Sequence, residues 1–275
     1  MASLARKLRR ENKTVGFVPT MGSLHEGHLS LIKEARQMAD VVIVSIFVNP
    51  AQFNESRDFE KYPRDLTGDI AVLTEYEVDY IFAPEREEIY GAGFSTYVYV
   101  ENLTETLEGA ARPGHFRGVA TVVTILFNTI RPDFAIFGQK DAQQVAVIKR
   151  LTKDLGFDTE IVVLPTVREE SGLAMSSRNS LLSDEERQKA SIIYQALRDA
   201  KRAAKDGERN AAKLMEIVRQ KISEEPLAQI DYVTLVDNET LETIDKIGET
   251  EALLAVAARF GDVRLIDNVI LNRRQ

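Results

Sequence analysis

Apolar and polar positions in the first half of the chain switch repeatedly between two periods. Residues 15–18 are a short apolar run, 29–39 repeat apolar positions at helical spacing, and 41–48 are almost continuously apolar. Strand, helix and strand in that order make a βαβ unit. An unbroken apolar strand suits a parallel sheet covered on both faces. The pattern then predicts a helix over 66–75, a strand over 79–83 closed by Pro84, and a mostly apolar helix over 119–130. A strand over 134–137, a helix over 142–155 and a strand over 159–164 follow. Residues 94–100 read as an edge strand or hairpin arm. At the start, Leu4 and Leu8 are four apart in a basic stretch, a surface helix over 1–13.

The character changes near Val167. Ser183 with Glu186 has capping-box spacing and opens a long helical region over 184–204. A second helix covers 210–223, and three strand-like runs close the chain at 229–236, 252–258 and 263–270. The expected fold class is α/β, a parallel-sheet domain over 1–166 with a smaller α+β domain over 167–275. A chain of 275 residues is long enough for both.

Composition narrows the partners. Apolar content of 44% and charged content of 28% are ordinary for a globular protein. The net charge of −8 argues against a general nucleic-acid surface, so a polyanion would need positive groups gathered locally. No apolar run is long enough to cross a bilayer, and the basic amino terminus lacks the apolar core of a secretory signal. Without Cys there is no disulfide framework, which is compatible with a cytoplasmic location.

Candidate chemistry gathers where strands end and helices begin. Pro19-Thr20-Met21-Gly22-Ser23-Leu24-His25-Glu26-Gly27-His28 links the first strand to the first amphipathic helix. A helix amino end offers unpaired N–H groups and a positive dipole end, both suited to phosphate. Two of the chain's three His sit there, three residues apart and so on roughly one helix face. Ser23 with Glu26 has capping-box spacing, which leaves the imidazoles unexplained. Asn49-Pro50 ends the second strand as turn chemistry, but that does not account for Gln52. The 112–118 segment, with two Arg and the last His, suits either a surface turn or an anion site. Gly138-Gln139-Lys140-Asp141 repeats the first arrangement. Asp141 and Gln144 have capping spacing, but a Lys at a helix amino end is disfavoured without an anion beside it. The polar loop 168–179 offers Ser176, Ser177 and Arg178 to a triphosphate, or serves as an interdomain linker.

The first motif resembles the H-x-G-H signature of the nucleotidyltransferase superfamily. Residues 19–31, 47–53, 62–64, 112–118, 137–144, 172–179 and 264–268 together resemble the pantoate–β-alanine ligase (pantothenate synthetase) family, in its order and spacing over nearly the whole chain. The resemblance implies a Rossmann-like domain and a smaller carboxyl-terminal domain that closes over the active site, in a cytoplasmic homodimer. It implies that ATP and pantoate give pantoyl adenylate, which β-alanine then attacks to release AMP. Met21, Gly22, Ser23, Leu24, His25, Glu26, Gly27 and His28 are then ATP-site residues. His25 and His28 lie on the phosphates, and His28 is the residue usually called the proton donor. Gly138, Gln139, Lys140 and Asp141 bind the nucleotide, Val167 meets the adenine, and Met175, Ser176, Ser177 and Arg178 close over the triphosphate. His25, His28, Lys140 and Arg178 carry the catalysis. Gln52 and Gln144 hold pantoate, and Gln52 also lies where β-alanine enters. Mg²⁺ accompanies ATP. Its protein ligands stay open, because Asp69 stands near the family's acidic positions but is preceded by Gly68. A nucleotidyltransferase acting on a phosphorylated acceptor would need a basic acceptor pocket in place of the neutral Gln52 and Gln144. A non-catalytic nucleotide-binding module would have no use for that second pocket.

Overall fold

Complete burial marks the central strands. The computed structural model describes residues 1–54 and 56–272. In it α1 (Ala2–Arg10) turns Ala5 and Leu8 inward. The strands β1 (Val15–Thr20) and β2 (Val41–Ile46) follow, with Phe17, Val18, Val42, Ile43 and Val44 fully buried. They pair in parallel from Val15 beside Val41 to Thr20 beside Ile46. A parallel pair needs a crossover, and α2 (Glu26–Met38) supplies it.

The chain continues through α3 (Ser56–Lys61), α4 (Leu66–Glu75), β3 (Tyr80–Phe82), α5 (Arg86–Ile89), α6 (Leu107–Ala111), α7 (His115–Ile130), β4 (Phe134–Gly138), α8 (Ala142–Asp154) and β5 (Glu160–Leu164). The five strands form one parallel sheet in the order β3-β2-β1-β4-β5. Strand alternation sends neighbouring side chains to opposite faces. Val18 packs with Ile32 and Ala35 of α2 and Leu73 of α4, whereas the Phe17 ring meets Phe127 of α7 edge-on at 6.4 Å. The sheet is covered on both sides, as its apolar strands require. Its order reverses at β1, which has β2 on one side and β4 on the other. Open α/β sheets bind ligands at the carboxyl edge beside such a reversal.

Two compact units make up the chain, Met1–Gly138 with Gln143–Pro165, and Gln139–Ala142 with Thr166–Gln275. The second carries α9 (Asp184–Lys189), α10 (Ile192–Lys205), α11 (Ala211–Ser223) and an antiparallel sheet of β6 (Ala228–Asp237), β7 (Ala252–Phe260) and β8 (Val263–Leu271), with β7 in the middle. Ala196 and Leu197 of α10, Leu214 and Val218 of α11, and Leu254 and Val256 of β7 lie together in its buried core. Among the described residues no helix is long and apolar enough to cross a membrane.

Three expectations need correction. The Ser183–Glu186 capping box forms, but the long helix it opens breaks between α9 and α10. There Ser191 N–H and Ile193 N–H reach back only three residues, and the Ser191 hydroxyl donates to the Gln188 carbonyl, a side-chain bond that competes with the helix ladder. Residues 94–100 form no strand. They run instead along α7, with Val98 N–H donating to Thr121 Oγ1 at 3.0 Å and Arg117 lying over the Tyr97 ring. The 112–118 segment is mostly the first turn of α7, entered through Gly114 at φ +81°.

Gly118 of α7 backs directly onto the 3₁₀ turn Pro50–Gln52, and a Cβ there would collide with the backbone of Ala51 and Gln52. Gly118→Ala is expected to lower stability by about 1–3 kcal/mol through overpacking, read from the urea unfolding midpoint. A parent-like midpoint would show that the turn gives way freely.

Candidate active site

In the first unit the chain leaves β1 through two successive left-handed residues, Gly22 at φ +80° and Ser23 at φ +52°. A side chain at Gly22 would also run into Asp69 Oδ2 and Ile46. What holds this strained turn is Asp69, buried on α4. Its Oδ2 accepts the Ser23 N–H and its Oδ1 the Leu24 N–H, both at 2.9 Å. Bonds to an ionised acceptor are the strong ones, and they offset the cost of a non-glycine residue at positive φ.

The expected Ser23–Glu26 capping box is absent. With Ser23 left-handed and its N–H on Asp69, the helix starts later, and His25 is the N-cap of α2. His25 Nδ1 accepts the Gly27 N–H at 3.1 Å, and His28 Nδ1 accepts the His25 N–H at 3.3 Å. The two rings lie 4.1 Å apart and tilted by 37°. Because each Nδ1 receives a backbone proton, each neutral ring carries its own on Nε2, and it can donate to an anionic oxygen from there. Met21 and Gly27 are half-buried beside this turn, and Glu26 is exposed.

Beyond β2, Asn49 settles how Gln52 is presented. Asn49 Oδ1 accepts Ala51 N–H at 3.2 Å and the Tyr90 hydroxyl at 2.7 Å. Its Nδ2 donates to the Gly118 carbonyl at 3.1 Å and to Gln52 Oε1 at 3.0 Å. A carbonyl only accepts and an amide N–H only donates, so neither amide can flip. Gln52 therefore turns its Nε2 away from Asn49, 3.0 Å from Met21 Sδ. Burial pushes the Tyr90 phenol well above its ordinary range, against the smaller effect of the Asn49 bond, and it stays a donor. His115 is spent on the Gln52 carbonyl, 2.7 Å from its Nδ1. Gln144 is half-buried on the first turn of α8, and among the described residues no hydrogen bond joins it to Gln52. Its neighbour Gln143 is structural, donating to the carbonyls of Leu103 and Thr106 at 2.8 Å.

In the second unit, Lys140, Ser176 and Arg178 line one cleft with Arg264 and Asp267. Lys140 Nζ is 3.3 Å from Asp141 Oδ1. The loop that carries Ser176 and Arg178 is tied down rather than a slack linker. Val167 accepts the Met175 N–H, and Arg168 bridges Ala174 in antiparallel fashion. The Arg168 guanidinium grips Asp267 with two bonds, 2.5 and 2.9 Å, donates to the Gly172 carbonyl, and lies 3.6 Å over Tyr194. Burial raises the Asp267 carboxyl from its ordinary value, and Arg168 opposes that rise. Ser176 caps the 3₁₀ turn Ser177–Leu181, its Oγ accepting the Arg178 N–H. Buried Asn179 joins Glu169 to the Ala174 carbonyl. Among the described residues no cluster of three or more His, Cys, Asp or Glu could hold a metal alone.

A family model described as pantoate-beta-alanine ligase matches residues 1–270. The chain belongs to the pantoate–β-alanine ligase family. It is 52% identical over 271 residues to the pantothenate synthetase of Heliobacterium modesticaldum, covering 98% of this chain and 96% of that one. It is 54% identical over 264 residues to that of Carboxydothermus hydrogenoformans, covering 96% and 93%. Among solved structures, the pantothenate synthetase of Thermus thermophilus matches with a TM-score of 0.89 at 46% identity over 96% of each chain. The pantoate–β-alanine ligase of Francisella tularensis, complexed with β-γ ATP and β-alanine, matches with a TM-score of 0.79 at 37% identity, covering 100% of this chain and 97% of that one. In this ligase the bracing by Asp69 and the part played by Tyr90 had no signal in the sequence, and Asn268 stood there only within the 264–268 stretch, with no role of its own.

Asp69→Asn keeps the shape but sets an NH₂ group against one of the two turn N–H groups. It is expected to lower stability by about 1.5–3 kcal/mol, one charge-assisted bond, and to raise the KM for ATP. Urea unfolding and initial-rate kinetics check it, and parent values in both would remove Asp69 as the brace of the turn.

Proposed function

We propose that the chain makes pantothenate in two steps, with the residue roles that follow. The net reaction is the ATP-dependent condensation of pantoate with β-alanine, the activity of the family. In the first step a pantoate carboxylate oxygen attacks the α-phosphorus of ATP, pantoyl adenylate forms and pyrophosphate leaves. In the second the β-alanine amine attacks the acyl carbon, the C–N bond forms, the amine loses a proton and AMP departs.

One observation carries this reading: paired neutral imidazoles capping a helix amino end, at the turn that follows the sheet's central strand. Donors of that kind suit phosphate oxygens. His25 and His28 then hold the phosphates, with Met21, Gly22, Ser23, Leu24, Glu26 and Gly27 as the wall of the nucleotide site. Lys140 and Arg178 follow the charge that moves onto the bridging oxygen and pyrophosphate. Asp141 meets the ribose, Val167 the adenine, and Met175, Ser176 and Ser177 the triphosphate. Gln52 and Gln144 hold pantoate. Gln52 presents an N–H donor, which suits a pantoate oxygen or the β-alanine carboxylate and rejects the β-alanine ammonium.

Mg²⁺ fits this scheme as a companion of ATP. It keeps waters and phosphate oxygens as ligands more readily than it strips to protein groups, and both oxygens of Asp69 already carry turn N–H groups. It would neutralise charge on the triphosphate. We also assign the enzyme to the cytoplasm and to a homodimer, the state typical of the family, which sedimentation at working concentration tests.

Pantoate, ATP and Mg²⁺ without β-alanine are expected to support exchange of pyrophosphate into ATP, while AMP accumulates only once β-alanine is added. Exchange with no acid present, or exchange that requires β-alanine, would contradict the two-step reading. Within it, Lys140→Ala mainly slows adenylate formation. Gln52→Ala and Gln144→Ala raise the KM for pantoate about ten- to a hundredfold, the worth of one hydrogen bond to a carboxylate, and leave ATP affinity nearly intact. Pre-steady-state adenylate formation across both substrates separates the two. A pure pantoate defect in Lys140→Ala, or a pure ATP defect in Gln144→Ala, would reverse the assignment.

A further inference from the structure

Asn268 lies on β8, 128 residues from Lys140 in sequence, and it is buried. Its side chain has two donors and an acceptor to place. Nδ2 donates to the Gln139 carbonyl at 3.0 Å and to the Lys140 carbonyl at 2.9 Å. Oδ1 accepts from Gln139 Nε2 at 3.1 Å. Two carbonyls can only accept, so this orientation is the one the amide can take. All of these bonds go to one three-residue turn, Gln139–Asp141.

The neighbour on the strand secures the clamp. The Asn268 N–H donates to Asp267 Oδ1 at 2.8 Å, and Asp267 is itself gripped by Arg168. The strand is thus fixed where the amide leaves it. The turn it holds belongs to the same compact unit as β8, although β4 before it and most of α8 after it do not. Lys140 stands on this turn and lines the cleft with Ser176 and Arg178. Its flexible side chain starts from a backbone that Asn268 pins on both sides of Lys140 Cα.

We propose that Asn268 is a positioning residue for the adenylation step, which acts by fixing the backbone from which Lys140 reaches the phosphates. This rests on the reading of Lys140 as a phosphate-binding group. Asn268 touches no substrate in this scheme. It preorganises a charge, and an electrostatic group stabilises a transition state only as far as its position is set beforehand.

The test is a double-mutant cycle on single-turnover formation of pantoyl adenylate with ATP, Mg²⁺ and pantoate. Asn268→Ala is expected to slow that step about ten- to a hundredfold, the scale of a displaced catalytic group. The KM for pantoate stays within about twofold, since Gln52 and Gln144 hang on other anchors. In a Lys140→Ala background the same substitution changes the rate by less than about twofold, because its target is gone. A merely structural role would lower the melting temperature and yet multiply in full with Lys140→Ala. That result, or a parent-like rate in Asn268→Ala, overturns the assignment. If Lys140→Ala alone adenylates at the parent rate, the reading of Lys140 fails first, and the role of Asn268 falls with it. Asn268→Ser keeps one donor toward the carbonyls. It is expected at an intermediate rate, and it carries the same cycle if the alanine variant does not fold.

Discussion

A buried polar side chain must spend its hydrogen-bonding capacity, and in this ligase three of them spend it on turns that leave the strands. Asp69 gives both oxygens to the 22–24 turn, Asn49 gives its amide to the 49–52 turn, and Asn268 gives its amide to the 139–141 turn. Each turn carries residues proposed to meet substrate. Left to water, such turns would sample many conformations, and holding one of them would cost entropy at every catalytic cycle. Burying the brace moves that cost into folding. It also lets Ser23 keep a positive φ that the isolated loop would abandon.

Positive charge is rationed in the same spirit. The chain is acidic overall, so cations near a polyanion site must be placed rather than scattered. Arg168 and Arg178 show the division. Arg168 is neutralised by buried Asp267 in a two-bond pair and stacked on Tyr194, which makes it a strut for the 168–174 loop. Arg178 takes its place in the cleft with Lys140. Sequence spacing cannot tell these two arginines apart. The partner of Arg168 lies 99 residues away, on β8.

What was legible follows from how local its cause is. The βαβ order, the helix over 66–75 and the Ser183–Glu186 cap depend on periodicity and on residues three apart, and all formed. The Ser23–Glu26 cap had the same local signature and failed, because Asp69, 46 residues on, takes the Ser23 N–H and moves the helix start. Residues 94–100 had strand-like alternation but found α7 instead of a ladder partner. Tyr90, and what Asn268 does within the 264–268 stretch, were invisible for the same reason. Their value lies in bonds across 41 and 129 residues, and no window of sequence contains both ends. The candidate ligand residues were easier to read, since they sit in short motifs, while the residues that hold them do not.

The cap on α2 also bears on how His28 acts in the proposed reaction. With its Nδ1 accepting the His25 N–H, the ring is neutral and its proton is on Nε2. Charging it would require protonating Nδ1, which trades a backbone bond for a repulsive contact and uncaps the helix. A neutral imidazole that surrendered the Nε2 proton outright would become an imidazolate, a species far too basic to form at neutral pH. While the cap stands, His28 would therefore serve the proposed adenylation by holding its proton against a phosphate oxygen, not by giving it away. In the proposed scheme pyrophosphate would ask for no more, because Lys140, Arg178 and a Mg²⁺ carried by ATP would share its charge. The same argument applies to His25, whose Nδ1 carries the Gly27 N–H. The pair would supply two preset donors without adding a charge, and in the proposed scheme the positive charge of the step comes from Lys140 and Arg178.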